Sequence, residues 1–261
     1  MDICEKTTFS KGGFDRHPWE LARINVVKDM LKNTVRLKSD ARILDLGCGD
    51  AYVALQLSKQ FSTARFHCVD IAFTPEIINE LSTNLEGHPI TLHSSLIDLM
   101  KDEVEPVDVV LLLDVIEHIE DDIAFLQDLR SSGIINENTK VIITVPAFQN
   151  LFSNHDIYLK HYRRYNVSLL NNHLEKSGFR SLKTGYFFTS LLFARMLQKV
   201  FIRNRSVDEE KGIGAYQSKG VIDQIIVKIL YLDFLIGKFF RFFGIRIPGL
   251  SCFSICRIQQ S

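Results

Sequence analysis

Between residues 41 and 145, short apolar runs alternate with stretches of helical spacing, and this alternation constrains the fold more than any other feature. The runs are 41–46 (ARILDL), 65–69 (RFHCV), 90–93 (ITLH), 107–113 (VDVVLLL) and 140–145 (KVIITV). They are apolar on almost every residue, where a strand with one wet face would alternate. Strands of that kind are covered on both faces, which is the signature of a parallel sheet. The stretches 52–59, 75–85 and 121–129 read as the covering helices, with Thr74 as an N-cap before Pro75 at the first helical position. Strand–helix alternation with right-handed crossovers gives an α/β, doubly wound, mostly parallel sheet.

After Pro146 the pattern changes. Residues 150–165 are polar and aromatic and read as a loop, and 168–177 reads as a helix closed by Gly178. Two further strands, 179–188 and 251–258, bring the expected sheet to seven. About sixty residues separate these two, far more than a hairpin needs. They are read as an inserted helical cap, 189–250, with helices at 190–202 and 222–243. The main domain is then 1–188 plus 251–261, opening with an N-terminal helical segment over 1–40.

Composition narrows the partners. The 261 residues carry 31 Lys/Arg and 31 Asp/Glu, so no global field attracts nucleic acid, and none is expected as substrate. From Arg195 onward, however, eleven basic residues face five acidic ones, and ten of the nineteen phenylalanines lie from Phe187 onward. The cap is basic and Phe-rich behind an acidic body. Five scattered cysteines, none in C-x-x-C spacing, argue against a disulfide framework, and no metal centre is expected. The first residues lack the basic-then-apolar order of a signal peptide, so a cytoplasmic protein is expected.

The segment Ile43-Leu44-Asp45-Leu46-Gly47-Cys48-Gly49-Asp50 carries the strongest chemical signal. A buried strand enters a turn with two glycines, where the backbone can approach a ligand without a Cβ in the way. A dinucleotide fingerprint requires a third glycine at position 52, which is Tyr52. Asp45 before the turn would also repel a pyrophosphate and suits a cationic ligand. A nicotinamide oxidoreductase is disfavoured on both counts. Asp70, at the tip of the second strand and about twenty residues past the glycines, can accept both hydroxyls of a ribose.

On these residues the chain resembles the class I S-adenosylmethionine-dependent methyltransferases. The run Asp114-Val115-Ile116-Glu117-His118 is similar to the fourth-strand motif of their ubiquinone-biosynthesis-like (type 11/12) branch. Val145-Pro146-Ala147-Phe148, Asn154-His155-Asp156 and His161-Tyr162-Arg163-Arg164-Tyr165 resemble a bacterial subgroup of that branch, as does the opening Arg16-His17-Pro18-Trp19-Glu20. The resemblance implies a Rossmann-like fold, with S-adenosylmethionine as cofactor. Gly47, Cys48 and Gly49 would lie against its methionine part, Asp45 would hold the ammonium, Asp70 the ribose, and Ile71 would pack on the adenine. Relatives often place an aspartate after the third strand; here Ser95 and Leu96 stand there, with the Leu96 amide left to meet the adenine. Asp114 would contribute its backbone carbonyl.

The implied activity is methyl transfer by in-line displacement to a small acceptor, lipid-linked or quinone-like. The alternative is a non-catalytic cofactor-binding module or partner subunit. His155, His161 and His118 follow strand ends and are the candidate catalytic residues, because histidine titrates near working pH. Tyr162, Arg163 and Arg164 are the candidate acceptor clamp for a carboxylate or phosphate. The cap leaves two readings: it buries its apolar surface against the main domain or a second copy in a homodimer, or it rests on a membrane or admits a lipid-like acceptor.

Overall fold

The computed structural model describes residues 16–35, 37–101, 105–201 and 220–260. The beginning of the expected N-terminal segment and residues 202–219 of the expected cap lie outside the described residues. Among the described residues, seven strands form one sheet in the order β3-β2-β1-β4-β5-β7-β6. They are β1 (Arg42–Leu46), β2 (Arg65–Val69), β3 (Ile90–His93), β4 (Val109–Leu113), β5 (Lys140–Pro146), β6 (Phe179–Phe187) and β7 (Ser251–Ile258). The first five are parallel, and β7 runs antiparallel between β5 and β6. The doubly wound, mostly parallel arrangement expected from the sequence is the one observed.

The apolar runs are explained by a core on each face. Ile43, Phe66, Val109 and Leu111 enter one core, while Leu44, Val110, Leu112 and Ile143 enter the other. Successive residues of β1, β4 and β5 thus bury on opposite sides, so these strands are apolar almost throughout, while Arg65 of β2 and Thr91 of β3 are exposed. The first core is covered by α1 (Pro18–Met30) and α2 (Tyr52–Ser58), and the second by α5 (Asp122–Ser131) and α7 (Val167–Lys176). α3 (Pro75–Asn84) starts as expected, with Thr74 capping the Ile77 amide. α1 opens with a capping box: the His17 ring accepts from the Trp19 amide, and Glu20 reaches back to the His17 amide.

Two helices were not expected. α4 (Leu96–Lys101) and α6 (Asn154–Tyr158) lie in stretches read as connections. Both have the same local cause, a serine cap with an aspartate three residues on. The Asp98 amide donates to Ser95 Oγ at 3.1 Å, and the Ser153 amide donates to Asp156 Oδ2 at 2.9 Å.

Two helices, α8 (Thr189–Phe201) and α9 (Val221–Phe242), lie between β6 and β7. α9 packs on α1 through one stripe, with Asp223, Leu230 and Phe234 buried. Lys238 Nζ is 2.7 Å from Asp29 of α1. The opposite side of α9 is turned outward: Ile225, Ile229, Leu232, Phe239 and Phe242 are exposed, as is Phe243 just past its end, while Ile226, Val227 and Tyr231 pack partly against the core. Two charges of this helix are absorbed locally: Asp233 accepts from Ser190, and Lys238 donates to Asp29. Among the described residues no helix is long and apolar enough to cross a membrane.

Phe234, 2% exposed and in the core that joins α9 to α1, anchors the cap. Phe234→Ala should cost about 3–5 kcal/mol of unfolding free energy in urea titration. Phe242→Ala, on the exposed side, should cost well under about 1 kcal/mol.

Candidate functional site

The order of the sheet reverses between β1 and β4, and the loops leaving these strands diverge to open a crevice at the carboxyl edge. On the β1 side, the Gly47 amide donates to Val69 O at 2.8 Å, closing the turn over β2. Gly47 has φ +76°, and a Cβ there would stand 2.7 Å from a methyl of Val115, which leaves β4. No side chain fits between the two loops. The Gly49 amide donates to Asp70 at 2.8 Å, and the other Asp70 oxygen accepts from Ala72 at 2.9 Å. Asp70 therefore knits the two loops together, with lone pairs left for two more donors. Next to it Ile71 is 94% exposed, an unusual position for a large apolar side chain and one suited to a flat ligand.

Asp45 lies beneath this turn, 2% exposed, and its Oδ2 has no hydrogen-bond partner. Burial pushes its carboxyl up to about 7; Arg23 pulls the other way, and Asp70 and Asp50 add to the rise. Such a carboxylate is complementary to a cation reaching it from the crevice. Cys48 is buried, and burial pushes its thiol well up, so it is packing at this turn and not a thiolate. Ser95 spends its hydroxyl on capping α4, and Leu96 starts that helix at the crevice edge.

On the β4 side, Asp114 has φ +57°. Its carboxylate pairs with Arg23 of α1 and accepts from Thr144 Oγ1 at 3.2 Å. Arg16, just before α1, pairs with Asp50, and its guanidinium lies 4.1 Å over the Tyr52 ring. α1 is thus clamped across the crevice at both loops. The sequence reading includes Arg16 only as part of the opening motif, with no partner, and Arg23 escaped it. Arg23 looks like an ordinary helix charge until the fold brings Asp114 to it, 91 positions away.

The third part of the site joins the loops after β4 and β5. A 3-10 turn, Ile116–His118, follows Val115, and Glu117 O accepts from the Tyr162 amide at 2.8 Å. This brings His118 and His161 edge to face, with ring centroids 4.6 Å apart. Glu117 is wholly buried, and neither carboxylate oxygen meets a donor. Burial, then the charge of Asp114, pushes its carboxyl well above the usual range. Below it lies Asp156, also buried, which takes Arg164 on both oxygens at 2.8 and 2.9 Å and His161 Nδ1 at 2.9 Å. Burial opposes ionisation of Asp156, but these hydrogen bonds hold its carboxyl well below the usual range.

The expected clamp for an anionic acceptor takes a different form. Arg164 is 8% exposed and committed to Asp156. Arg163 donates to Ile119 O at 2.9 Å and to Glu120 O, and lies 3.2 Å from Asp122. Arg163 thereby ties the β5 loop to the β4 loop, while Arg164 braces the β5 loop on itself, held by the cost of separating it from a buried carboxylate. Of the three, Tyr162 alone stands at the surface, 51% exposed. His155 is half-buried; burial first, then the charge of Arg195 on α8, pushes its imidazole down, so it stays neutral at pH 7.

The chain matches the methyltransferase-domain family over residues 20–184. No curated protein matches it in sequence. Among solved structures it is similar in fold to a Haemonchus contortus phosphoethanolamine N-methyltransferase bound to phosphomonomethylethanolamine and S-adenosylhomocysteine (18% identity, 91% of this chain and 53% of that one, TM-score 0.54). It is likewise similar to a Haloferax volcanii putative methyltransferase in complex with its Trm112 activator (11%, 93% and 96%, TM-score 0.52). A third similar structure is the [4+2]-cyclase SpnF (12%, 97% and 89%, TM-score 0.55). At these identities the likeness is one of fold, and the cyclase shows that the fold alone does not choose the reaction.

Gly47→Ala places a methyl against Val115 and strains the backbone at positive φ. It should lower binding of S-adenosylhomocysteine at least about tenfold by calorimetry, with a loss of about 1–2 kcal/mol in stability. Gly47→Ala combined with Val115→Ala should recover part of the stability, since only the clash is relieved.

Proposed function

This chain belongs to the class I S-adenosylmethionine-dependent methyltransferases, and we propose that it moves the methyl group to a small acceptor with an apolar, lipid-linked or quinone-like body. The observation that carries the cofactor site is Asp45, a buried carboxylate with an orphaned oxygen directly under a glycine turn that tolerates no Cβ. S-adenosylmethionine, when bound, supplies an activated methyl group on a positively charged sulfur. Asp45 holds the ammonium of its methionine part, with Gly47, Cys48 and Gly49 as the wall. Asp70, already fixed by two amides, grips the ribose; Ile71 covers the adenine, and the Leu96 amide and the Ser95 turn border its edge. Asp114, its side chain held by Arg23, is left to offer its backbone carbonyl to the ammonium.

The acceptor side is the region of His118, His155, His161 and Tyr162. His155 is the candidate general base, because its surroundings keep the imidazole neutral and able to take a proton. The arginine that helps to do so belongs to α8, whose Phe193, Met196 and Leu197 are exposed. Apolar side chains thus rim the edge of the site where His155 stands, which supports an apolar acceptor body and the ubiquinone-biosynthesis-like branch. The outward stripe of α9 supports peripheral contact with a membrane from which such an acceptor is drawn.

Titration calorimetry with S-adenosylhomocysteine should show binding, and titration with NAD none. Asp70→Ala should weaken the former at least about tenfold, as expected for loss of a bidentate charged contact. The pH dependence tests Asp45. A protonated carboxyl cannot pair with an ammonium, so affinity should rise about tenfold from pH 6 to pH 8 as a group near pH 7 loses its proton. Asp45→Asn should hold affinity at the pH 6 level throughout. Equal pH profiles for the two proteins would remove Asp45 from the site.

A further inference from the structure

The loops after β4 and β5 bring together three groups that the cofactor does not use. The nearest ligating atoms of Glu117, His118 and His161 all lie within 4.8 Å of one another. A divalent cation at about 2.1 Å from each of its ligands spaces them roughly 3–4 Å apart, so a small contraction of this cluster completes such a shell. Two further observations point to a cation. Glu117 is wholly buried, yet neither of its oxygens has a hydrogen-bond donor, which is a costly arrangement for a carboxylate that nothing is meant to meet. His161 is oriented as metal-bound histidines are: Nδ1 donates to the buried Asp156, 2.9 Å away, which turns the lone pair of Nε2 outward. Asp156 is itself held by Arg164 and by the Ser153 amide and hydroxyl. A carboxylate–histidine relay of this kind stands behind many metal ligands.

We propose that Glu117, His118 and His161 form a binding site for a divalent cation of the borderline class, such as Mn²⁺, Fe²⁺, Co²⁺ or Zn²⁺. One carboxylate and two imidazoles suit these ions better than Mg²⁺ or Ca²⁺, which prefer all-oxygen shells. Three protein ligands leave coordination positions open, as in catalytic rather than structural sites. If the methyltransferase reading above holds, on which this consequence rests, those positions take an oxygen of the acceptor, and the acceptor is a hydroxyl compound methylated on oxygen. The cation would lower the pKa of that hydroxyl, whose proton passes to the general base, His155 in the reading above. The oxygen then bonds to the methyl carbon while the carbon–sulfur electron pair stays with sulfur, giving the thioether. The absence of paired cysteines says nothing against such a site, since it is built from a carboxylate and imidazoles.

The test uses the full chain, freed of metal by chelation and of any histidine tag, titrated with Co²⁺ under visible absorption and with Mn²⁺ by calorimetry. Stoichiometric binding with d–d bands in the visible is expected for the wild type. Glu117→Gln and His118→Ala should each weaken it at least about tenfold, and Asp156→Asn by roughly tenfold through the loosened His161. The thermal midpoint should rise on adding Mn²⁺ to the wild type and stay unchanged in Glu117→Gln. His118→Ala, which changes a half-buried ring, decides the matter should Glu117→Gln fail to fold. Co²⁺ binding that is equal in the wild type and in His118→Ala, or absent from a wild type that binds S-adenosylhomocysteine, overturns the cation site and leaves the methyltransferase reading standing. Co²⁺ binding without S-adenosylhomocysteine binding does the reverse.

Discussion

The reversal of winding between β1 and β4 is the constraint on which the rest of the molecule depends. Strands to one side of this line send their crossovers over one face, and strands to the other side send theirs over the opposite face. The loops leaving β1 and β4 therefore part, and the crevice between them follows from topology before any side chain is considered. What the side chains add is a limit on its width. Gly47 and Val115 come so close that the crevice floor has room for backbone alone, and α1 is strapped across its mouth by Arg16 to Asp50 and Arg23 to Asp114.

The charges around this crevice fall into two kinds. Asp156 is buried but fully employed by Arg164, His161 and Ser153, so its ionised form is stabilised and the loop after β5 is braced on itself. Asp45 and Glu117 are equally buried and lack donors at one and both oxygens respectively. Burying a carboxylate in that condition works against folding, and a fold keeps such groups where a ligand supplies the missing partner. The two orphaned carboxylates lie at the ends of neighbouring strands, one under the glycine turn and one under the histidine pair. Cation recognition on both sides of a single crevice is a coherent reading of that arrangement, with an ammonium on the first and a metal ion on the second.

Much of the fold was legible because its cause is local or periodic. Strands covered on both faces, β4 and β5 above all, are apolar almost throughout, and β2, β3 and β7 appear with the boundaries the pattern implies. α4 and α6 were missed although a serine with an aspartate three residues on announces each; in short helices there is no hydrophobic period to accompany the cap. The paired arginines illustrate the opposite difficulty. Arg163 and Arg164 lie beside two tyrosines in a polar segment, a pattern equally suited to gripping an acceptor. Their actual duty depends on a buried carboxylate eight residues earlier for Arg164 and on carbonyls about forty-four residues earlier for Arg163.

The sequence by itself determined the layered architecture, the glycine turn with its acidic neighbour, and the helical stretch between the last two strands, since each rests on backbone conformational limits or on the spacing of apolar residues along the chain. Only the tertiary structure decided which buried charges are satisfied and which are not. That depends on distances between groups far apart in the chain: Arg23 reaching Asp114, His161 turning onto Asp156, and Glu117 meeting no donor at all. The electrostatic cost of a buried group is set by what surrounds it in space, and the linear order of residues does not carry that information.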